Sequence, residues 1–152
     1  MSDEFNKLRA TALAWLGRQE YHLAKFRQKL KDKEASEEDI ERIVSEFTEC
    51  DWLSEQRYCE YFVRSRITKG QGKIRIRADG QQKRLDKDCL HQALDEAEVD
   101  WFEQALATYE RKYGDKPIAD AKEKAKRMRF MQYRGFNMDQ TLYAMADPDE
   151  QD

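Results

Sequence analysis

One pattern recurs in three stretches of the sequence: LKDKEASEEDIERIV at residues 30–44, GQQKRLDKDCLHQAL at 80–94 and MQYRGFNMDQTLYAM at 131–145. When Ala35, Leu85 and Phe136 are aligned, apolar or small residues recur five positions earlier and five and nine positions later. Thr141 is the weakest match. The period of about fifty residues is typical of helical arrays in which each unit needs a neighbour to complete its core.

Capping residues outside these stretches mark the remaining helices. Polar side chains that accept hydrogen bonds from a first helical turn precede five apolar runs, at Ser36, Ser54, Asp86, Asp100 and Asn137. Asn137 with Gln140 also has the spacing of a capping box. We therefore predict an all-α protein of nine helices in three tandem three-helix repeats. The predicted units are repeat 1 at 1–50, repeat 2 at 51–99, repeat 3 at 100–147 and an acidic tail at 148–152.

The composition favours an elongated molecule with much surface and little core. The 152 residues are 39% apolar and 39% charged, against about 45–50% and about 25% in ordinary globular proteins. No stretch suits a membrane span and the first residues lack a signal-peptide layout, so we expect a cytoplasmic protein. None of the three cysteines lies in a CxxC motif, which disfavours a disulfide framework or a zinc ribbon.

The net charge of −3 hides blocks of opposite sign. Residues 54–85 contain nine basic and three acidic residues, whereas residues 86–120 contain four basic and ten acidic ones. Alternating blocks indicate an oriented surface for a charged partner. Solvated helix faces that happen to cluster explain the charges equally well at this level.

Four ordered motifs carry a resemblance to a known family. They are YCEYFVRSR at residues 58–66, KGQG at 69–72, RIR at 75–77 and FMQYRGF at 130–136. Each motif is weak alone, but the set follows the order and spacing of the family from about residue 8 to residue 146. On these residues the chain resembles the RecX family, whose members regulate the bacterial recombinase RecA.

The resemblance implies both a fold and a function. The fold is a curved, elongated molecule of three tandem three-helix repeats. The function is binding in the helical groove of the RecA–single-stranded-DNA filament, with inhibition of ATP hydrolysis, strand exchange and co-protease activity and a block on filament extension. This activity belongs to homologous recombination, DNA repair and the SOS response. We expect a monomer that uses no cofactor and no metal, with single- and double-stranded DNA as further contacts.

The chain departs from the family pattern at several positions. The family usually places glycine after the second helix of a repeat, but only Gly135 keeps it, and Glu34 and Arg84 stand in the other two repeats. Gly80 replaces a usual leucine, and His22 replaces a small hydroxyl residue. We expect the missing leucine to loosen repeat 2, so that Gly80→Leu stabilises the protein.

Two basic segments are the candidate RecA- or DNA-binding surfaces. The middle segment surrounds the glycine loop 69–72, which we expect to be flexible and able to fit a phosphate backbone or an acidic protein groove. Its members are Arg57, Arg64, Arg66, Lys69, Lys73, Arg75, Arg77, Lys83 and Arg84. The second segment follows one helix at steps of three and four residues. Lys122, Lys126, Arg129 and Tyr133 follow these steps, and Arg127 and Arg134 lie beside them, seven residues apart.

Aromatic and apolar residues near these segments are predicted to lie in the core. Helical spacing places Tyr58, Tyr61 and Phe62 inward, although aromatics beside basic groups could instead stack unpaired bases. We also predict that Ile74 and Ile76 face inward.

Two other classes of protein compete with a filament-binding regulator. An autonomous helix-turn-helix DNA-binding protein would use the helix at 75–83 to read bases, but the internal Gly80 and the negative net charge disfavour it. An enzyme would need a catalytic set, and no serine elbow, phosphate loop or HExxH motif occurs. Cys89 and His91 lie about 200° apart on a helix, which is poor geometry for a shared metal.

Overall fold

The computed structural model of the protein describes residues 2–147, and within this range the chain forms nine helices and no strand. The all-α prediction is therefore confirmed, whereas the predicted acidic tail at 148–152 lies outside the described residues. The helices are α1 (Asp3–Arg18), α2 (Leu23–Asp32), α3 (Glu37–Glu49), α4 (Glu55–Thr68), α5 (Lys73–Gln82), α6 (Lys87–Glu96), α7 (Trp101–Tyr113), α8 (Ala121–Tyr133) and α9 (Met138–Met145).

Side-chain caps begin most helices at the predicted residues. The five predicted caps all accept a backbone N–H of the first turn, and Asn137 with Gln140 forms the complete capping box. The second helix lacks such a cap, because it begins at Leu23 and His22 at its N-cap makes no capping hydrogen bond.

The second helix of each repeat ends in the same turn. The N–H groups of Ala35, Leu85 and Phe136 donate to carbonyls five residues earlier, at 3.1–3.2 Å. The preceding residues Glu34, Arg84 and Gly135 have φ of 63°, 63° and 104°. This is the Schellman motif, in which the residue of positive φ is usually glycine. The equivalence of these three positions, predicted from apolar spacing, is thus confirmed in backbone geometry.

Buried apolar residues form three clusters, one for each set of three consecutive helices. The first is centred on Phe26, Leu30 and Phe47, the second includes Phe62 and Ile76, and the third includes Met131 and Phe136. We refer to α1–α3, α4–α6 and α7–α9 as repeats 1, 2 and 3. The residue boundaries predicted for the repeats remain a prediction, which this grouping supports.

The accessible surface shows how far the molecule departs from a compact shape. It amounts to 9944 Å², whereas a compact monomer of this mass exposes about 8,100 Å². The excess agrees with the elongated shape that the composition predicts.

Two predictions of inward-facing side chains were wrong. Ile74 and Tyr61 are each 53% exposed, while Ile76 and Phe62 are buried as expected. Gly80 is buried, but Leu90 fills the space beside it. A Cβ at position 80 would lie 2.7 Å from the Leu90 Cδ2 atom. Leucine there would have to displace that side chain, so the expected stabilisation by Gly80→Leu is not supported by the packing.

Candidate interaction surface

Residues 70–72 of the glycine loop are buried against repeat 3. The Thr108 hydroxyl of α7 donates a hydrogen bond of 2.9 Å to the Gly70 carbonyl. The Gly72 N–H donates to the Arg134 carbonyl at the end of α8, at 2.8 Å. The prediction of a flexible loop offered to a partner is therefore wrong, because this loop forms the joint between repeats 2 and 3.

At this joint the end of α8 meets the start of α5, backbone against backbone. The Ile74 N–H donates to the Gly135 carbonyl at 3.1 Å. A Cβ on Gly72 would lie 2.3 Å from the Gly135 carbonyl oxygen, and a Cβ on Gly135 would lie 2.3 Å from the Arg75 Cβ. Both positions therefore need glycine. Because free carbonyls of one helix end pair with free N–H groups of the next, the two helix dipoles align head to tail.

Arginine side chains close the same joint. The Arg134 guanidinium donates to the Lys69 carbonyl. Arg75 Nη1 donates to the Tyr133 carbonyl at 3.1 Å, and its guanidinium carbon lies 4.6 Å from the centre of the Tyr133 ring. Two residues predicted as partner-binding cations are thus engaged within the protein.

Arg66 is engaged in the interior of repeat 2. Its Nη1 lies 2.5 Å from an Asp79 carboxylate oxygen and 3.0 Å from the Gln71 side-chain oxygen. Asp79 also accepts a hydrogen bond from Arg75 at 3.3 Å. Burial opposes ionisation of Asp79, but the hydrogen bonds from the two arginines hold its pKa below the ordinary value.

The joint between repeats 1 and 2 is built differently, from side chains. The Glu55 carboxylate of α4 accepts the Leu23 N–H at 3.3 Å, so it links repeat 2 to the start of α2. Burial raises the pKa of Glu55. Arg57 forms an ion pair with Glu20 at 3.0 Å, and this pair also spans the joint.

His22 is the buried titratable base of this joint. Its ring lies 5.1 Å from the Tyr58 ring, and within the described residues its Nδ1 atom has no hydrogen-bond partner. Burial lowers the pKa of His22, and the charges of Lys83 and Lys25 lower it further. Lys83 is the C-cap residue of α5, so this charge acts on His22 from repeat 2.

Charge is sorted by helix position within each repeat. The second helices, α2, α5 and α8, contain twelve basic and three acidic residues, whereas the third helices, α3, α6 and α9, contain two basic and ten acidic ones. We call these second helices, each with the turn that ends it (residues 33–35, 83–85 and 134–136), the second-helix column. The column gathers much of the positive charge of a protein whose net charge is negative.

The predicted binding residues fall into three groups in the structure. Exposed residues are Arg64, Lys69, Arg77, Lys83, Arg84, Lys122, Lys126 and Arg129. Partly buried residues are Arg57, Arg66, Lys73, Arg75 and Arg134. The third group is Arg127, which is only 3% exposed and cannot belong to a binding face.

Arg127 occupies a core position of repeat 3. It lies four residues before Met131, as Phe26 lies before Leu30 and Ile76 before Gly80. Its guanidinium donates to the Tyr109 hydroxyl at 2.7 Å. It also bonds the Glu123 carboxylate and the Lys116 carbonyl, which holds the loop after α7 against the repeat. Its place in the repeat alignment was the signal that could have identified it as internal.

The aromatic member of the second basic segment is highly exposed. Tyr133 is 71% exposed, and Ile74, across the joint, is 53% exposed. Sequence spacing placed Tyr133 on the stripe of α8, but only the structure shows that its ring stands in solvent at the joint.

Two of the three cysteine thiols are shielded by burial. Burial raises the pKa of Cys59 to about 12 and that of Cys89 to about 11, so both remain protonated near neutral pH. Among residues 2–147, no cluster of three or more His, Cys, Asp or Glu side chains is arranged to hold a metal ion.

None of the described helices is both long and apolar enough to cross a lipid bilayer. The fold and its surface instead define a class: a tandem three-helix repeat protein with its positive charge concentrated on one helix of each repeat.

Comparison with known proteins identifies the family within this class. Residues 54–94 match the family model for the second three-helix domain of RecX, and residues 98–145 match that for the third. The regulatory protein RecX of Vibrio parahaemolyticus is 39% identical over 139 residues, covering 91% of this chain and 90% of that protein. That of Pseudomonas fluorescens is 39% identical over 137 residues, covering 90% and 88%. The chain belongs to the RecX family.

Solved structures agree with this assignment at the level of the fold. The crystal structure of RecX from Lactobacillus salivarius superposes with a TM-score of 0.80 at 19% identity, over 99% of this chain and 98% of that one. A second crystal structure of regulatory protein RecX gives a TM-score of 0.76 at 21% identity, over 94% and 71%.

Proposed function

We propose that this protein is a non-enzymatic regulator that binds in the groove of the RecA–single-stranded-DNA filament. There it inhibits ATP hydrolysis, strand exchange and co-protease activity and blocks filament extension, in the cytoplasm, as part of homologous recombination, DNA repair and the SOS response. Membership of the RecX family supports the partner. The observation that carries the mode of binding is the sorting of basic residues onto the second-helix column.

The protein can inhibit RecA by occupying the groove of the filament, without catalysing a reaction itself. The backbone joint makes α8 and α5 one continuous support for exposed cations. A support of this kind can bridge neighbouring protomers of a filament and resist the movements that accompany nucleotide turnover. Its contacts with an acidic groove or with phosphates are screened by salt over about 8 Å at physiological ionic strength.

The same joint argues against the competing helix-turn-helix function. Recognition helices read bases through their N-terminal residues. The N-terminus of α5 is instead occupied, because Gly72 and Ile74 donate to carbonyls at the end of α8. A monomeric regulator that acts through its lateral surface fits this arrangement better.

Charge reversal on the exposed part of the column tests the proposal. The triple variant Arg77→Glu, Lys83→Glu and Arg84→Glu should abolish inhibition of the RecA ATPase on single-stranded DNA. All three side chains are exposed, so the melting curve should change little. Arg75 is left intact because it stabilises the joint.

The matched control reverses three exposed cations outside the column, Lys7, Arg18 and Lys116. It changes the net charge equally and should leave inhibition intact. If both triple variants lose inhibition equally, only overall charge matters. If the column variant inhibits as well as the unchanged protein, its basic residues are a solvated face and the proposed docking mode is wrong.

A further inference from the structure

Tyr133 is an aromatic side chain held in solvent at a basic site. It is the last residue of α8. Its exposed fraction of 71% is the highest among the exposed large apolar and aromatic residues of the described chain. Its neighbours Met131 and Phe136 fill the core of repeat 3. The ring therefore contributes little to that core. Arg75 lies over the ring at 4.6 Å and restrains it.

A stripe of cations leads along α8 to this ring. Lys122, Lys126, Arg129 and Tyr133 are separated by four, three and four residues, which places them within about 60° of one another around the helix. The three cations are exposed. The α8 stripe, as we call these four residues, is about 17 Å long. Across the joint from the end of this stripe lies Ile74, a second exposed apolar residue, whose N–H donates to the Gly135 carbonyl.

We infer that the α8 stripe binds single-stranded nucleic acid directly, with phosphates along its three cations and an unpaired base stacked on Tyr133. Flat aromatic rings beside basic residues are the common means of binding single strands without sequence preference. A purely acidic protein surface would match the cations but would leave the exposed ring without a role. A duplex, whose bases are already stacked, would not offer a base to the ring. This contact requires no RecA.

Binding of fluorescein-labelled dT20 by the full chain, followed by fluorescence anisotropy without RecA, tests the inference. Tyr133→Ala should weaken binding about tenfold, since one base–aromatic stack contributes about 1–3 kcal/mol. Tyr133→Phe retains the ring and should bind within about twofold of the unchanged protein. Tyr61→Ala removes another exposed tyrosine, on α4, and should have no effect.

Salt dependence tests the phosphate contacts separately. Substitution of Lys126 and Arg129 by alanine should reduce the slope of log affinity against log salt concentration by about 1.4, the value for two phosphates of a single strand. Binding of a 20-base-pair duplex should be insensitive to Tyr133→Ala. Thermal melting of every variant establishes that the fold is retained, and Tyr133→Phe tests the ring even if Tyr133→Ala is unstable.

Several outcomes would overturn the inference. Unchanged dT20 affinity of a folded Tyr133→Ala variant would eliminate stacking, as would an equal loss on the duplex. No binding of dT20 at 50 mM salt would eliminate the site altogether. If the Lys126 and Arg129 substitutions leave dT20 binding intact but abolish RecA inhibition, the stripe docks protein instead. Because dT20 binding is measured without RecA, its failure leaves the proposed regulation of RecA to be judged by ATPase inhibition alone.

Discussion

At the joint between repeats 2 and 3, the turn after the second helix contains Gly135, whereas the equivalent position at the joint between repeats 1 and 2 is Arg84. Both have positive φ. Gly135 lies so close to Arg75 that no Cβ fits. Arg84 has an exposed side chain, and the first joint is spanned instead by Glu55 of α4, which accepts the Leu23 N–H. Glycine is therefore required at the turn where two backbones are in contact. A positive φ alone does not require it, as Arg84 shows.

The largest effect is expected from adding a side chain where the two backbones are in contact at the second joint. Gly135→Ala should lower the free energy of unfolding by about 3 kcal/mol or more, because its Cβ would overlap Arg75 and its φ is +104°. Urea denaturation followed by circular dichroism measures the loss. Gly17→Ala is the control, since within the described residues nothing lies near its Cβ, and helix propensity should stabilise it by about 0.5–1 kcal/mol. Equal effects of the two variants would contradict the close-contact argument.

Removal of one buried hydroxyl should have the next largest effect. Thr108→Val deletes the hydrogen bond to the Gly70 carbonyl and should cost about 1–2 kcal/mol, because that carbonyl stays buried. Thr141 is the matched control: it is fully buried, and among the described residues its hydroxyl has no hydrogen-bond partner. Thr141→Val should be neutral or stabilising. Chemical denaturation of both variants compares them, and a neutral Thr108→Val would show that this bond does not hold the joint.

Glycine at the turns after α2 and α5, where Glu34 and Arg84 have positive φ, should stabilise the protein modestly. Glu34→Gly and Arg84→Gly each relieve a side chain at φ of 63° and should add about 0.5–1 kcal/mol to the free energy of unfolding. Lys33→Gly and Lys83→Gly, one residue earlier at negative φ, should destabilise instead. The same sign for both pairs in thermal melting would refute an explanation based on backbone conformation.

The smallest expected effect is a pH dependence confined to the first joint. Burial, followed by the charges of Lys83 and Lys25, lowers the pKa of His22 in the folded protein. The unfolded chain then binds the proton more readily, so the stabilising contribution of neutral His22 is complete above about pH 6.5 and is lost as pH falls through the lower folded pKa. The raised pKa of Glu55 acts in the opposite sense, with stability lost as pH rises through its folded pKa.

Amide hydrogen exchange at residues 20–23 measures this dependence. Protection, corrected for the intrinsic exchange rate, should decrease between pH 7.5 and 5.5 in the unchanged protein and remain nearly constant in His22→Gln. His91→Gln is the control because His91 is an exposed histidine on α6 whose ion-pair partner is Asp95, outside the joint. A decrease that survives His22→Gln would assign the pH dependence to another group.

The sequence predicted most of the local structure because capping and apolar spacing are local signals. The caps at Ser36 and Asp86, and the apolar spacing that aligns Leu30 with Met131, do not depend on how the repeats pack against one another. The joints could not be predicted in this way. The glycines of 69–72 suggested flexibility, but they permit close backbone approach, a property that depends on residues more than sixty positions away.

The candidate site was predicted only in outline for the same reason. The sequence located two basic segments, but charge alone does not distinguish an exposed cation from an internal one. Arg66 and Arg134 serve contacts within the protein. Arg127 occupies a core position where the other repeats have Phe26 and Ile76. Which cations remain available to a partner follows from tertiary packing.

The second joint also has a consequence for the order of events during synthesis. Its contacts link residues 58 and 65 positions apart, such as Arg75 with Tyr133 and Lys69 with Arg134. Such distant contacts form late in folding, because a long loop must close first. On a ribosome, α4 and α5 emerge well before α8. The glycine loop must therefore remain hydrated until α8 has emerged, and only then can the second joint form.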